Sequence, residues 1–145
     1  MSSPEIVKID HIGIAVSDME NAIGRYKGIL LMEPSCVEYL EDIKLKLAFY
    51  EIQGVSVELL SPMESHGDIF SFIQEKGESL HHICFEVNDI SGILKKMKEE
   101  GFNIIDKEPR AGFRGSKIAF INSINANGVL IEYCELPKIG MTRSS

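Results

Sequence analysis

The sequence predicts an α+β fold built from two tandem β-α-β-β-β modules, and three observations carry that prediction. Asp10-His11-Ile12-Gly13-Ile14-Ala15-Val16 returns as His81-His82-Ile83-Cys84-Phe85-Glu86-Val87, so that His82 answers His11 at a spacing of 71 residues. The helical phase that follows, Met19, Ala22, Ile23 and Tyr26, returns at the same spacing as Ile90, Ile93, Leu94 and Met97. Gly54-Val55-Ser56-Val57-Glu58 returns as Gly128-Val129-Leu130-Ile131-Glu132 at a spacing of 74, the extra residues falling in a longer loop from Asn122 to Asn127.

Each element follows from local pattern. Val7 to Val16 alternates apolar and polar residues and is β-rich, which reads as a strand. Ser17-Asp18-Met19-Glu20 has the Ser-x-x-Glu form of a capping box and starts the first helix. The second helix is expected to end at Gly101, a C-cap residue. Three strands follow each helix, over about 34–41, 44–53 and 54–61 in module one, and about 103–108, 116–122 and 128–135 in module two. Asp68 to Lys76 reads as a short linking helix with Ile69, Phe72 and Ile73 inward, and Gly77 ends it. The expected organisation is one domain over 6–137, with module one at about 6–62, the linker helix at about 66–77 and module two at about 78–137.

Side chains alternate along a strand, so parity assigns faces. Ile12, Ile14 and Val16 share one face of the first strand and His11 lies on the other; Ile83, Phe85 and Val87 oppose His82 in the repeat. In the closing strands, Val57 and Leu59 oppose Glu58, and Ile131 and Tyr133 oppose Glu132. Each strand therefore has an apolar face for its helix and a second face carrying one metal-ligating type. If the sheets curve around a shared cavity, His11, Glu58, His82 and Glu132 point into it. Two imidazoles and two carboxylates suit a divalent ion such as zinc, cobalt or nickel, with positions left for water or substrate. His81 has the parity of the apolar side, and its place in the first module is held by Asp10.

Bulk properties narrow the classes. The chain has 145 residues and a net charge of −7, which argues against a nucleic-acid surface. No apolar run approaches the roughly 18 residues of a membrane span. Cys36, Cys84 and Cys134 are an odd number without a CxxC, as expected of reduced thiols in a cytoplasmic compartment. Arg110, Arg114 and Lys117 form a local basic group for an anionic small ligand.

These stretches, together with Val57-Glu58-Leu59-Leu60-Ser61-Pro62 and Glu108-Pro109-Arg110-Ala111-Gly112, resemble the vicinal oxygen chelate superfamily. Within it the chain is most similar to the methylmalonyl-CoA epimerases. The resemblance covers about residues 6–137 and implies a curved mixed sheet in each module, a metal-binding cavity and a homodimer. It carries the metal ligands onto His11, Glu58, His82 and Glu132. It further implies inversion of the α-carbon of an acyl-CoA through a metal-chelated enolate, with carboxylates moving the proton. Glu132 is the candidate base on one side. The epimerases carry their second carboxylate in a Glu-x-Gly stretch in the second strand of module one. Here that stretch reads Leu40-Glu41-Asp42-Ile43-Lys44, which leaves Asp42 or Glu41 for the role. The same resemblance admits a glyoxalase I-type lyase acting on a glutathione adduct, and a non-catalytic small-molecule-binding protein.

Overall fold

The strand that opens the chain, β1 (Ile6–Ala15), divides its residues between two compact units. One unit is His11–His81; the other is the chain up to Asp10 together with the chain from His82 on. The computed structural model describes residues 3–138.

In the first unit the strands run β2 (Cys36–Leu40), β3 (Leu45–Ile52), β4 (Val55–Pro62) and then β1 from His11 onward. The β1–β4 pair is parallel and the others are antiparallel, so the sheet is mixed. Helix α1 (Met19–Leu30) lays Met19 and Ala22 on Ala48, Tyr50 and Leu59, with Ile23 and Tyr26 at the edge. That is the face expected from the sequence. Burial of each large apolar side chain here is worth about 1.5–3 kcal/mol. Helix α2 (Asp68–Lys76) buries Ile69, half-buries Phe72 and Ile73, and closes with Gly77 N–H donating to the Ile73 carbonyl at 2.7 Å.

The second unit repeats the plan. β5 (Ser79–Val87), from His82 on, is followed by α3 (Ile90–Glu99), and the strand order is β5, β8 (Leu130–Glu135), β7 (Lys117–Ile121), β6 (Arg110–Ala111). The β5–β8 pair is parallel and the rest antiparallel. Ile90, Ile93 and Leu94 of α3 pack on Val87, Ala119, Ile121 and Tyr133. Glu5 of β1's approach ties into this unit by giving its N–H to Asn88 Oδ1 at 2.8 Å. The α+β class is as the sequence predicts. No helix among the described residues is long and apolar enough to cross a membrane.

Two expectations are corrected. The cap of α1 is Asp18, whose Oδ1 accepts from Asn21 N–H at 3.0 Å, while the Ser17 N–H is taken by Glu78 Oε2 at 2.7 Å. Asp89 caps α3 in the same way, accepting from Gly92 N–H at 3.0 Å. A carboxylate three residues before an amide satisfies one of the free N–H groups and favours the positive helix end. The expected strand over 103–108 shrinks to a single bridge between Ile104 and Ile121. Asp106 Oδ2 accepts the Phe120 N–H at 2.9 Å, in place of a backbone carbonyl from a pairing strand. Pro109 then has no N–H to donate.

The ends of the elements are also legible. Gly101 at φ 84° follows α3 in a Schellman arrangement, with Phe102 N–H donating to Met97 O and Gly101 N–H to Lys98 O. Gln53-Gly54, between β3 and β4, has φ of 52° and 84°, the two positive values of a two-residue hairpin turn.

Candidate metal centre

Parallel pairing puts a histidine diagonally across from a glutamate in each unit. In the first, His11 pairs with Ser56, so Glu58 lies two residues along the neighbouring strand. In the second, His82 pairs with Leu130, and Glu132 again lies two residues along. The diagonal brings His11 Nε2 to 3.7 Å from Glu58 Oε1, and His82 Nε2 to 3.2 Å from Glu132 Oε1. Glu58, His82 and Glu132 are buried and His11 is half-buried. Burying an imidazole beside a carboxylate is costly unless both are satisfied, by each other or by a bound cation. Each pair offers one nitrogen and one oxygen donor, types that suit zinc, cobalt or nickel.

The flanks of the two glutamates are alike on one side and different on the other. Phe49 pairs with Glu58 and Phe120 pairs with Glu132, so each carboxylate has an aromatic neighbour on the next strand. The Phe120 ring meets the His82 ring edge-to-face, centroids 6.1 Å apart. On the other side stand Gly13 and Cys84. Hydrogen bonding with the Cys134 thiol, then burial, then the nearby Glu132 charge push the Cys84 thiol far up, so it stays protonated. Cys84 and Cys134 are therefore packed thiols, as expected from their burial.

The remaining candidates separate clearly. His81 stacks edge-on against Phe72, centroids 4.8 Å apart. Glu41 was expected at the end of a strand and Asp42 just beyond it; both lie in the exposed turn after β2, where Glu41 Oε2 pairs with Lys44 Nζ at 3.2 Å. The strand ends at Leu40, and Lys44 at φ 55° closes the turn, which carries both carboxylates past the sheet. Arg110 lies with its guanidinium carbon 5.4 Å from the Phe120 ring centre and Nε 3.4 Å from Asp106 Oδ1. Arg114 sits over Phe113, and Lys117 reaches Glu135 at 4.0 Å.

Sequence reading did not single out Phe49 and Phe120 as neighbours of the two glutamates. The phenylalanines carried a signal, since they are 71 residues apart like the histidines. Glu38 stands in β2 on the strand's half-buried side.

Comparison with known proteins agrees with this architecture. Residues 10–120 match the model of the Glyoxalase/Bleomycin resistance protein/Dioxygenase superfamily. The chain is 38% identical over 128 residues to the uncharacterized protein YqjC of Bacillus subtilis (strain 168), covering 88% of this chain and 91% of that one. It is 30% identical over 129 residues to the ethylmalonyl-CoA/methylmalonyl-CoA epimerase of Cereibacter sphaeroides, covering 88% and 96%. A solved methylmalonyl-CoA epimerase in complex with methylmalonyl-CoA and NH4+ superposes with a TM-score of 0.83 at 25% identity, over 97% of this chain and 100% of that one.

Proposed function

The chain belongs to the Glyoxalase/Bleomycin resistance protein/Dioxygenase superfamily, and on that premise we propose that it is a metal-dependent epimerase inverting the α-carbon of methylmalonyl-CoA. In this reading His11, Glu58, His82 and Glu132 together hold one divalent ion. The observation that carries it is the repeated diagonal, a histidine and a glutamate in the same register in both units. The relatives named as epimerases of ethylmalonyl-CoA and methylmalonyl-CoA support the substrate class.

When bound, the ion supplies Lewis-acid stabilisation of negative charge on the substrate's oxygens. The chain's residues do the rest. The α-hydrogen lies between a thioester and a carboxylate, so its loss gives a delocalised enolate. Glu132 removes or returns the proton on one side, the general acid–base role. Phe49 and Phe120, beside the two carboxylates, exclude water. Arg110, steadied by Asp106 and the Phe120 ring, meets the anionic groups of the acyl-CoA. The active form in this reading is a homodimer, which sedimentation checks.

The test is α-proton exchange from methylmalonyl-CoA in D2O, followed by NMR, with cobalt-loaded protein against a metal-stripped control. Metal-dependent exchange is expected. Exchange no faster than the control overturns the reading, and turnover of a methylglyoxal–glutathione adduct would then assign a lyase.

A further inference from the structure

We infer that Asp106 is a positioning residue that holds Arg110 for the free carboxylate of the substrate, so that the protein selects acyl thioesters carrying a second acid group. The inference rests on the epimerase reading above and adds a residue and a selectivity to it. Every residue it uses at the site lies in the second unit.

Asp106 does the work of a missing strand. In the first unit Phe49 is flanked by the regular ladder of β2, where Cys36 is its partner. In the second unit that ladder is reduced to the bridge between Ile104 and Ile121. The Phe120 carbonyl accepts the N–H of Ile105 at 3.0 Å and of Asp106 at 3.3 Å, and the Phe120 N–H goes to Asp106 Oδ2 at 2.9 Å. One acidic residue thus engages both polar groups of the Phe120 main chain. Its other oxygen, Oδ1, lies 3.4 Å from Arg110 Nε.

Arg110 is the second part of the clamp. It pairs with Ile118, two residues before Phe120 on β7, and so stands on the face of Phe120. Its guanidinium carbon is 5.4 Å from the Phe120 ring centre, within reach of a cation–π contact. Asp106 therefore fixes the ring and the cation above it with one carboxylate. Among the described residues no other group engages the guanidinium, which leaves its terminal N–H groups for an incoming anion. Stability does not account for the pair. The Arg110 side chain is 57% exposed, and an ion pair so open to water contributes little to folding.

Position decides which anion is met. The same Phe120 ring meets the His82 ring edge-to-face, and Phe120 pairs with Glu132. One ring is thus common to the Arg110 guanidinium and to the His82–Glu132 pair that receives the acyl group in the epimerase reading. The phosphates of a CoA thioester are separated from the acyl group by the whole pantetheine arm. The second carboxylate of a malonyl-type acyl group is attached to the α-carbon itself. A planar guanidinium offers the parallel donors that a carboxylate accepts.

The experiment measures α-proton exchange in D2O by the metal-loaded protein over a range of substrate concentrations. It uses methylmalonyl-CoA and the N-acetylcysteamine thioester of methylmalonate, which keeps the acyl group and lacks the phosphates. The variants are Arg110→Ala, Asp106→Asn, the two combined, and Glu108→Gln as a control in the same loop. Asparagine keeps an oxygen for the Phe120 N–H and removes the charge that holds Arg110. Arg110→Ala should raise KM by about 10–100-fold for both thioesters, with kcat changed far less. Asp106→Asn should raise KM by about 5-fold for both, with metal content and Tm unchanged. It should add nothing in the Arg110→Ala background, because it acts through the arginine. Glu108→Gln should match wild type. A loss confined to the CoA thioester assigns Arg110 to the phosphates and overturns the inference. Additive losses, a fall in kcat together with Tm, or an equal loss in Glu108→Gln also overturn it, since each marks a role that does not pass through Arg110. If wild type exchanges both thioesters and the variants match it, only this inference falls. If wild type exchanges neither, the epimerase reading falls and takes the inference with it.

Discussion

The two units share some features in register and differ in others, and the division is informative. Both place a histidine and a glutamate on the same parallel diagonal, both cap the helix with an aspartate, and both set a phenylalanine beside the glutamate. They diverge on the outer strand, where the first unit has Glu38 and the second has Arg110. They diverge again beside the glutamate, where Gly13 answers Cys84. In the proposed reading a metal ion asks the same of both halves, which accounts for ligand candidates that stay alike. A substrate with one acidic hydrogen and one anionic tail has no such symmetry, and the residues in the proposed substrate contacts have separated. Duplication thus accounts for the matched ligand candidates, and divergence shows on the outer strands.

The largest expected effect tests the shared part. His82→Ala and His11→Ala should each lower metal affinity by more than about 100-fold, beyond the 10–100-fold typical of losing a supporting partner, and activity should fall with it. Metal content after dialysis, read beside proton exchange, checks this. Retained metal and full activity in His82→Ala would break the equivalence of the two pairs.

A smaller effect sharpens the difference at the helix starts. Gly92 takes the place that Asn21 holds in α1, because a Cβ there would come within 2.4 Å of Asp89 Oδ2 and 2.6 Å of Pro4 Cγ. Gly92→Ala should cost about 2 kcal/mol by overpacking and disturbance of the cap. Asn21→Ala, on the exposed surface, should change stability by less than about 0.5 kcal/mol. Thermal unfolding of both variants makes the comparison.

The cores differ in a tyrosine. The Tyr50 hydroxyl is buried with no hydrogen-bond partner among the described residues, whereas Tyr133 donates to Met97 Sδ at 3.9 Å. Tyr50→Phe should therefore stabilise by about 1 kcal/mol, by removing an unsatisfied polar group. Burial, then the charges of Glu33 and Tyr26, raise the Tyr50 pKa above 10.0. A raised folded value means that the folded state holds the proton more tightly. The contribution is complete below pH 10.0 and is lost as pH climbs through the folded value. Denaturant titrations from neutral to alkaline pH should show the wild type losing stability in that window more steeply than Tyr50→Phe.

The smallest effect concerns the helix ends. α3 stops on Gly101, but α1 stops on Leu31 at φ 59°, a residue 87% exposed. A left-handed leucine is strained where glycine is not. Leu31→Gly should stabilise by about 0.5–1 kcal/mol, part of the relief being offset by the added freedom of the unfolded chain. A rise in Tm checks it.

The sequence by itself determined the duplication, the α+β class, the helix faces and the four ligand candidates. These follow from periodicity and from matched spacing, both of which are local properties of the chain. Only the tertiary structure decided the rest. Asp18 caps the helix in place of Ser17, and the Ser17 amide that a capping-box Glu20 would take goes to Glu78, distant in sequence. The strand expected near residue 105 failed because the Asp106 side chain takes the ladder amide of Phe120. Glu41 lies off the sheet because β2 ends at Leu40, one residue before the expected end, and Asp42 lies beside it in the turn, beyond the expected strand as well. That Phe49 stands beside Glu58 and Phe120 beside Glu132 became visible only through register, since which residues face one another across strands is set by pairing between distant segments and is not written in either segment alone.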